Sequence, residues 1–289
     1  MRRLDRRLTA LAPLPQTSGQ LLEEAAARAV KMSIQGVQPK VSAVLRVTEG
    51  RMEIVDNGGR FIVKPPHLLH PELPENEALT MSLAATVDIE VPTLGLLLNA
   101  DGTRSYFIRR FDREGWGKRP VEDFAQLTGA SRDTKYDSST ERLIEVLDTY
   151  CTFPALERLK FLDRLLFAFL TGNEDMHLKN WSLITRDDKV ELSPAYDLLN
   201  STIPNPRSRE ELALPLCGKK SRLRATEFWG YLAGERLGLA ATMVEQIKTR
   251  FARASAAWPG RITASFLSDE MRERYLSLLA ERRERLGLA

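Results

Sequence analysis

The sequence predicts an α+β protein whose first part contains a small mixed β-sheet and whose second part is mainly helical. Between residues 33 and 112, short apolar runs with a period of two alternate with turn signals, which indicates strands. One stretch among them, residues 75–87, carries apolar side chains at helical spacing. Beyond residue 112 the helical periodicity dominates, and it is clearest over residues 161–170. We therefore expect a small sheet crossed by one helix, followed by a helical region.

The first elements along the chain are an arm and a short helix. Residues 1–16 are basic and interrupted by proline, which predicts a loosely held segment. Thr17 and Gln20 form a capping-box pattern, so we expect a helix over residues 21–32.

Three apolar segments predict the strands of the sheet. The alternation starts at Val41, and shorter apolar runs occupy residues 61–63 and 106–108. Turn signals at residues 57–59 and 101–102 separate these runs.

Two further patterns predict helices in the second part. The apolar residues within 161–170 recur at a spacing that marks a helix buried over a wide face. Residues 271–289 mix arginine and glutamate around leucines, which is typical of a terminal amphipathic helix. The expected organisation is an N-terminal arm and helix over residues 1–32, an N-lobe over residues 33–112 and a helical C-lobe over residues 113–289.

Composition excludes several classes of protein. With 289 residues, of which 43% are hydrophobic and 28% charged, the chain has the make-up of an ordinary globular protein of one or two domains. Its 42 basic and 39 acidic residues leave a net charge of +3, which disfavours DNA binding by this chain alone. Cys151 and Cys217 lie far apart and predict neither a disulfide framework nor a thiolate zinc site. We expect a cytoplasmic protein without a membrane span.

Residues 172–180 are the strongest candidate for a catalytic segment. They place six polar or ionisable side chains directly after the most apolar helical stretch, which core packing does not explain. Asp175 and Asn180 stand five residues apart, a spacing that kinase catalytic loops use for a base and a Mg²⁺ ligand. Asp197 offers a second carboxylate for the same cation. The alternative is a turn followed by a solvated loop.

An upstream group of residues fits the same chemistry. Residues 33–40 form a glycine-containing loop beside the first strand, where backbone amides can face phosphate. Lys64 closes a buried strand, where its charge needs a counter-ion, and Glu77 on the following helix is the obvious partner. A lysine that extends its charge into solvent from a strand end is the alternative. Phosphoryl transfer uses these parts in this order on a two-lobed scaffold.

These motifs together resemble the HipA-like toxin kinases, which are bacterial serine/threonine protein kinases of toxin–antitoxin systems. The segments that carry the resemblance are residues 33–40, 61–65, 76–77, 109–113, 122–124, 172–180 and 194–197. The resemblance implies a two-lobed protein-kinase-like fold that uses ATP and Mg²⁺. It further implies that Asp175 is the catalytic base and that Asn180 and Asp197 are the Mg²⁺ ligands.

The resemblance also implies the residues that contact ATP. Lys64, paired with Glu77, would bind the phosphates, and the backbone of residues 109–111 would meet the adenine. The implied ATP contacts are Gln35, Gly36, Val37, Gln38, Lys40, Lys64, Arg109, Arg110, Phe111, His177, Lys179 and Tyr196. Arg109 stands where an acidic residue is the expected one.

Family members are switched off by autophosphorylation of a serine in the glycine-rich loop, and Ser33 occupies that position. A phosphate there would bring roughly −1.5 to −2 charge beside the triphosphate, which is a physical reason for inactivation.

The chain is also similar to the short HipT kinases of HipBST systems, because only 32 residues precede Ser33. That similarity implies two partners, a HipS-like small antitoxin and a HipB-like DNA-binding repressor. The target would be a serine of a protein, by family precedent an aminoacyl-tRNA synthetase. The repressor would contact DNA, so no direct DNA contact is expected of this chain.

Two other functions use the same residues. A non-catalytic ATP-binding module of a repressor complex would bind nucleotide without transferring phosphate. A small-molecule or lipid kinase would differ only in the acceptor that it admits. Away from the motifs, Lys135 and Tyr136 fall in a long connection, where contact with a protein substrate or partner is an open hypothesis beside an ordinary surface role.

Overall fold

The chain folds into two compact units. The computed structural model describes residues 4–28, 38–70, 72–115, 117–205 and 209–289. The first unit is formed by the described residues within Met1–Ala78 and Pro92–Arg113. The second is formed by those within Leu79–Val91 and Glu114–Ala289.

The first unit is built on a five-stranded sheet and one packed helix. Its elements are α1 (Ser18–Arg28), β1 (Val41–Arg46), β2 (Arg51–Ile54), β3 (Phe61–Lys64), the start of α2 (Leu73–Ala84), β4 (Leu94–Leu98) and β5 (Arg104–Arg109). The strand order is β2-β1-β3-β5-β4.

Every pairing described in this sheet is antiparallel, whereas the sequence analysis predicts a mixed sheet. Connection length accounts for two of these pairings, β1 with β2 and β4 with β5. Loops of four and five residues join β1 to β2 and β4 to β5. A parallel neighbour would need a crossover of a dozen or more residues.

Alternate residues of the sheet and one face of α1 form the core of the first unit. The buried members of this cluster are Leu14, Leu21, Ala25, Val41, Ala43, Met52, Phe61, Val63, Leu97 and Phe107. The predicted capping box of α1 is present, since the Thr17 N–H donates to Gln20 Oε1 at 2.9 Å and the Gln20 N–H donates to Thr17 Oγ1 at 3.2 Å. The predicted end of this helix at residue 32 lies outside the described residues.

The second unit takes up the end of α2 and the rest of the chain. A 3₁₀ turn, Ala85–Val87, follows α2. The later strands are β6 (Arg113–Glu114), β7 (Gly117–Lys118), β8 (Val121–Asp123), β9 (Ser182–Arg186) and β10 (Lys189–Leu192). The helices are α3 (Phe124–Thr128), α4 (Thr140–Tyr150), α5 (Pro154–Thr171), a π-helical segment (Thr226–Arg236), α6 (Ala241–Ala256), α7 (Trp258–Thr263) and α8 (Asp269–Arg285).

Leu79–Val91 belongs to the second unit, although the sequence analysis places it in the N-lobe. Three polar contacts explain this assignment. Thr80 Oγ1 lies 2.9 Å from Tyr275 Oη, Trp258 Nε1 donates to Thr86 Oγ1 at 2.8 Å, and Arg250 donates to the Val87 carbonyl at 2.7 Å. All three partners come from the last helices of the chain, so no pattern in the sequence around α2 predicts these contacts.

Helix α5 is the centre of the second unit. It begins with Pro154 in its first turn, and its eight residues from Arg164 to Thr171 are all buried. It packs against α4 and α8. Beside it, β8, β9 and β10 form a small antiparallel sheet in the order β10-β9-β8.

Within the described ranges, no helix has both the length and the apolar character that crossing a membrane demands.

Replacing Phe169 by alanine should lower the free energy of unfolding by about 3–5 kcal/mol, because a fully buried ring leaves a cavity. The centroids of the Phe169 and Phe228 rings are 4.8 Å apart, and the guanidinium carbon of Arg282 lies 4.3 Å from the Phe169 centroid. Urea denaturation measures the change. The control is Phe153→Ala, at a ring that is 52% exposed, for which we expect less than about 1 kcal/mol. Equal losses in the two variants would contradict the placement of α5 in the core.

Candidate active site

The candidate catalytic loop starts where α5 ends. Gly172 has φ +66°, and a Cβ there would come within 3.0 Å of Asn200, Thr202 and Leu278. The N–H of Asn173 donates to the Ala168 carbonyl at 2.8 Å, which completes a Schellman-type helix end. The helix end therefore holds the backbone of Asn173, the first loop residue after Gly172, in place.

Asn173 links the two predicted acidic segments of the site. Its side chain is buried; Oδ1 accepts from the Asp175 N–H at 3.1 Å, and Nδ2 donates to the Asp197 carbonyl at 3.4 Å. The structure thus brings the backbones of Asp175 and Asp197 within reach of one amide, 22 residues apart in the sequence. The kinase-like spacing of Asp175 and Asn180 assigns no role to Asn173, although its place in the polar run after α5 is a signal.

Asn180 closes the same loop from its other end. Its Nδ2 donates to the Asp175 carbonyl at 2.8 Å, and the His177 N–H donates to the same oxygen at 2.8 Å. Because the amide nitrogen is engaged in this way, Oδ1 is the atom of Asn180 that is left to ligate a cation. Amide and carboxylate oxygens are the hard ligands that Mg²⁺ prefers.

Asp197 lies in an unusual backbone conformation. Its φ is +54°, a left-handed value that costs a non-glycine residue energy and occurs often at functional sites. The preceding backbone is held on both sides, since the Ser193 N–H donates to Ser182 O at 2.8 Å and the Ala195 N–H donates to Glu90 O at 2.7 Å. These two hydrogen bonds restrain the backbone just before Asp197.

Arg164 binds the backbone that leads to Asp197. It is completely buried on α5, donates to the Ser193 carbonyl, and has its pKa lowered to about 10 by burial. It remains a cation at neutral pH.

The donor set fits a Mg²⁺·nucleotide complex rather than a metal held by protein alone. Among the described residues, no three His, Cys, Asp or Glu side chains cluster in a way that could hold a metal. One carboxylate and one amide oxygen, with phosphate oxygens and water completing the shell, is the usual arrangement for Mg²⁺. Buried His177 Nδ1 has no hydrogen-bond partner within the described part of the chain, which is a further polar atom in the loop suited to a ligand.

The remaining predicted residues of the second unit are engaged within it. His177 Nε2 lies 2.8 Å from Lys135 Nζ, and burial lowers the His177 pKa, so the ring is neutral and accepts this bond. Lys179 Nζ forms an ion pair with Asp123 at 2.9 Å. The Tyr196 hydroxyl donates to the Lys179 carbonyl at 2.9 Å, and burial raises its pKa.

Lys135 and Tyr136 lie at the candidate site, whereas the sequence offers them only for contact with a protein substrate or partner. The Tyr136 hydroxyl donates to Asp175 Oδ1, and its ring meets His177 edge-on at 5.1 Å between centroids. These residues precede Asp175 by about 40 positions, so spacing alone carried no signal for the contact.

The first unit contains the predicted lysine–glutamate pair. Lys64 Nζ lies 2.7 Å and 2.9 Å from the two carboxylate oxygens of Glu77, and both side chains are buried. The ammonium also stands 5.5 Å above the ring of Tyr106, its neighbour on β5. The pair that the sequence predicts is therefore formed, and solvent extension of Lys64 is excluded.

The loop before β1 is described only in part. Ser33, Gln35, Gly36 and Val37 lie outside the described residues. Gln38 and Lys40 are partly buried, and the buried Nε2 of Gln38 lacks a hydrogen-bond partner among the residues that the structure describes. That orphaned donor suits an anionic ligand.

The segment predicted to meet the adenine follows β5. The N–H groups of Arg109 and Arg110 donate to Thr93 O and Arg60 O, each at 2.8 Å. Arg110 also forms an ion pair with Asp112 at 2.7 Å. The backbone N–H groups of Arg109 and Arg110 are therefore both bonded to carbonyls of the first unit. Phe111 is the next residue of the predicted adenine segment.

Comparison with known proteins identifies the family. The model described as "HipA-like C-terminal domain" matches residues 32–258. The chain belongs to this family. The resemblance seen in the sequence is confirmed at this level, and the closer similarity to HipT remains a prediction.

Curated relatives of this HipA-like chain are named as kinases. "Putative kinase Y4dM" of Sinorhizobium fredii is 39% identical over 215 residues, which cover 69% of this chain and 52% of that protein. The serine/threonine-protein kinase toxin HipA of Shewanella oneidensis is 28% identical over 191 residues, 59% of this chain and 43% of the toxin. The chain spans about half the length of the curated relatives it matches.

Solved structures show the fold. HipA of Shewanella oneidensis, in its complex with HipB and operator DNA, matches 96% of this chain and 74% of its own with a TM-score of 0.71 at 23% identity. The Helicobacter pylori proinflammatory kinase CtkA matches 89% of this chain and 91% of its own with a TM-score of 0.63 at 15% identity. The HipA-like chain therefore has the kinase-like α+β fold that the sequence predicts.

Lys64→Met should lower the free energy of unfolding by about 3–5 kcal/mol, because buried Glu77 loses the ammonium beside it. Adding Glu77→Leu should recover most of that loss, since no buried carboxylate then needs the cation. Thermal and urea unfolding measure both variants. A single variant that is as stable as the double variant would contradict the strength of this pair.

Proposed function

We propose that this HipA-like chain is a Mg·ATP-dependent serine/threonine protein kinase that transfers the γ-phosphate of ATP to a serine hydroxyl of a protein. The observation that carries the proposal is the linkage of Asp175, Asn180 and Asp197 through hydrogen bonds of the buried residues Asn173 and Asn180. A solvated loop needs no such linkage. The buried Lys64–Glu77 pair supplies the second requirement of a kinase, a lysine held for phosphate.

Each residue has a defined task in this proposal. Asp175 orients the acceptor hydroxyl and receives its proton as the oxygen attacks phosphorus. Asn180 Oδ1 and the Asp197 carboxylate would hold Mg²⁺, which supplies charge neutralisation on the phosphates when bound. Lys64 adds a second positive charge on the phosphates. Because the transition state is loose, catalysis consists mainly of such positioning and charge stabilisation.

The biological setting is proposed from the family. We propose a toxin that halts translation by phosphorylating a protein target, by family precedent an aminoacyl-tRNA synthetase, and that is neutralised within a toxin–antitoxin system. The Shewanella relative was solved with HipB and operator DNA, which supports a HipB-like repressor as one partner. A HipS-like small antitoxin is the second partner that we propose. The net charge of +3 supports leaving DNA contact to the repressor.

Asp175→Asn should slow phosphate transfer about a hundredfold or more while nucleotide binding persists, because the amide cannot accept the acceptor proton. Intact mass after incubation with Mg·ATP measures transfer, and calorimetry with Mg·ATP measures binding. Transfer in this variant at the rate of the unsubstituted protein would contradict the role of Asp175. If the unsubstituted protein, dephosphorylated beforehand, binds Mg·ATP but transfers no phosphate to itself or to an added protein, the non-catalytic module becomes the better function.

Ser33→Ala should prolong kinase activity, because we propose that phosphate on Ser33 inactivates the enzyme by placing negative charge beside the triphosphate. Peptide mapping should find phosphate on the Ser33 peptide of the unsubstituted protein and much less after the same incubation of Asp175→Asn. The time course of ADP formation is the measurement. Identical decay of activity in the Ser33→Ala variant would exclude autophosphorylation there as the switch.

A further inference from the structure

The connection between α3 and α4 folds back onto the candidate catalytic loop. It is closed by local hydrogen bonds, from the Ser131 N–H to Thr134 Oγ1 at 2.8 Å and from the Asp137 N–H to Thr134 O at 2.9 Å. It is tied to the catalytic loop by the Leu178 N–H, which donates to Lys135 O at 3.2 Å. Nothing in the proposed kinase mechanism uses this connection.

Tyr136 is the residue of the connection that reaches the proposed base. Its hydroxyl donates to Asp175 Oδ1, and its ring lies edge-on to His177. Lys135 Nζ stands 4.9 Å from the centre of the same ring and 2.8 Å from His177 Nε2. Three contacts therefore hold the phenol: the hydrogen bond to Asp175, the edge-on contact with His177 and the ammonium of Lys135 over the ring. They hold it although 38% of the residue is exposed.

The charge states favour one direction of the hydrogen bond. Burial, the bond to Asp175 and the charge of that carboxylate all raise the pKa of Tyr136. The phenol therefore stays protonated and acts as a donor. Lys135 Nζ lies within hydrogen-bond distance of His177 Nε2 at 2.8 Å, and the phenol of Tyr136 is joined to His177 by the edge-on ring contact alone.

Among the residues that the structure describes, Tyr136 is the one whose side chain donates to the Asp175 carboxylate, and it does so at Oδ1. Within the described part of the chain, no donor contacts Asp175 Oδ2. A carboxylate held at one oxygen keeps the other available at a defined angle. A residue that had to leave the base in every turnover would gain nothing from three anchoring contacts, so we favour a positioning role over a removable cover.

We propose that Tyr136 is a positioning residue for phosphoryl transfer, which holds Asp175 by Oδ1 so that Oδ2 faces the acceptor hydroxyl. Lys135 and His177 hold the phenol in turn. This inference rests on the proposed function, because it assigns a role relative to Asp175 as the base. It adds a requirement that lies outside the Asp175–Asn180 motif.

The test compares Tyr136→Phe with the unsubstituted chain, using Mg·ATP alone as the probe and initial ADP formation as the measurement. We expect kcat to fall about tenfold or more, because small misplacement of a catalytic group is costly. We expect the KM for ATP to change by less than about twofold, because the ring still packs and no ATP contact is removed. Tyr150→Phe, at an exposed tyrosine on α4, is the matched control and should change neither constant.

A double-variant cycle with Asp175→Asn separates the two levels of the argument. Once Asp175 is replaced, Tyr136→Phe should cause no further loss of rate, since there is no base to position. Additive losses would overturn the inference. If Asp175→Asn turns over as fast as the unsubstituted protein, the proposed function fails. If Asp175→Asn is slow but Tyr136→Phe is as fast as normal or faster, only the positioning role is wrong, and a faster rate would identify Tyr136 as a cover.

Stability is checked in the same series. If Tyr136→Phe lowers the melting temperature, Lys135→Gln replaces it as the test, because it keeps the hydroxyl and removes one anchor of the ring. We then expect a kcat between those of the unsubstituted protein and Asp175→Asn, with the KM for ATP unchanged. An unchanged kcat in Lys135→Gln would overturn the inference.

Discussion

The end of helix α5 is the constraint on which the candidate site depends. A helix with eight consecutive buried residues has a fixed position, and its Schellman-type end at Gly172 fixes the direction in which the chain leaves it. The carbonyl of Gly172 accepts from the Ser201 N–H at 3.0 Å and from Thr202 Oγ1 at 2.9 Å, so the segment after Asp197 is tied to the same point. The buried helix therefore restricts the position of both segments.

Buried ionic groups serve this arrangement by holding backbone and side chains rather than by adding stability. Arg164 is desolvated on α5 and donates to the carbonyl of Ser193, four residues before Asp197. In the first unit, Lys64 and Glu77 are both desolvated and bound to each other. Buried pairs of this kind contribute little net free energy, but removal of one member is strongly destabilising. Such groups therefore restrict each segment to one geometry, which a catalytic site requires.

The sequence predicted the parts of the site that depend on local pattern. Lys64 and Glu77 were paired because a charge at a buried strand end needs a counter-ion, and the helix that carries Glu77 follows directly. Asp175 and Asn180 were selected because a polar run after the most apolar helix has no packing explanation. The contacts of Tyr136 and Asn173 were not predictable in this way, since each joins residues that pattern and periodicity treat independently. The antiparallel sheet was also missed, because apolar alternation identifies strands without their direction.

By itself, the amino-acid sequence determined the α+β class, the buried helix α5, the lysine–glutamate pair and the order of the motifs, because these follow from periodicity and the cost of burying charge. Only the tertiary structure decided that Leu79–Val91 joins the second unit and that Asn173 bridges Asp175 to Asp197. It alone showed that the phenol of Tyr136 meets the proposed base. The physical reason is that a hydrogen bond between distant residues is specified by the packing that brings them together, and that packing is a property of the whole fold.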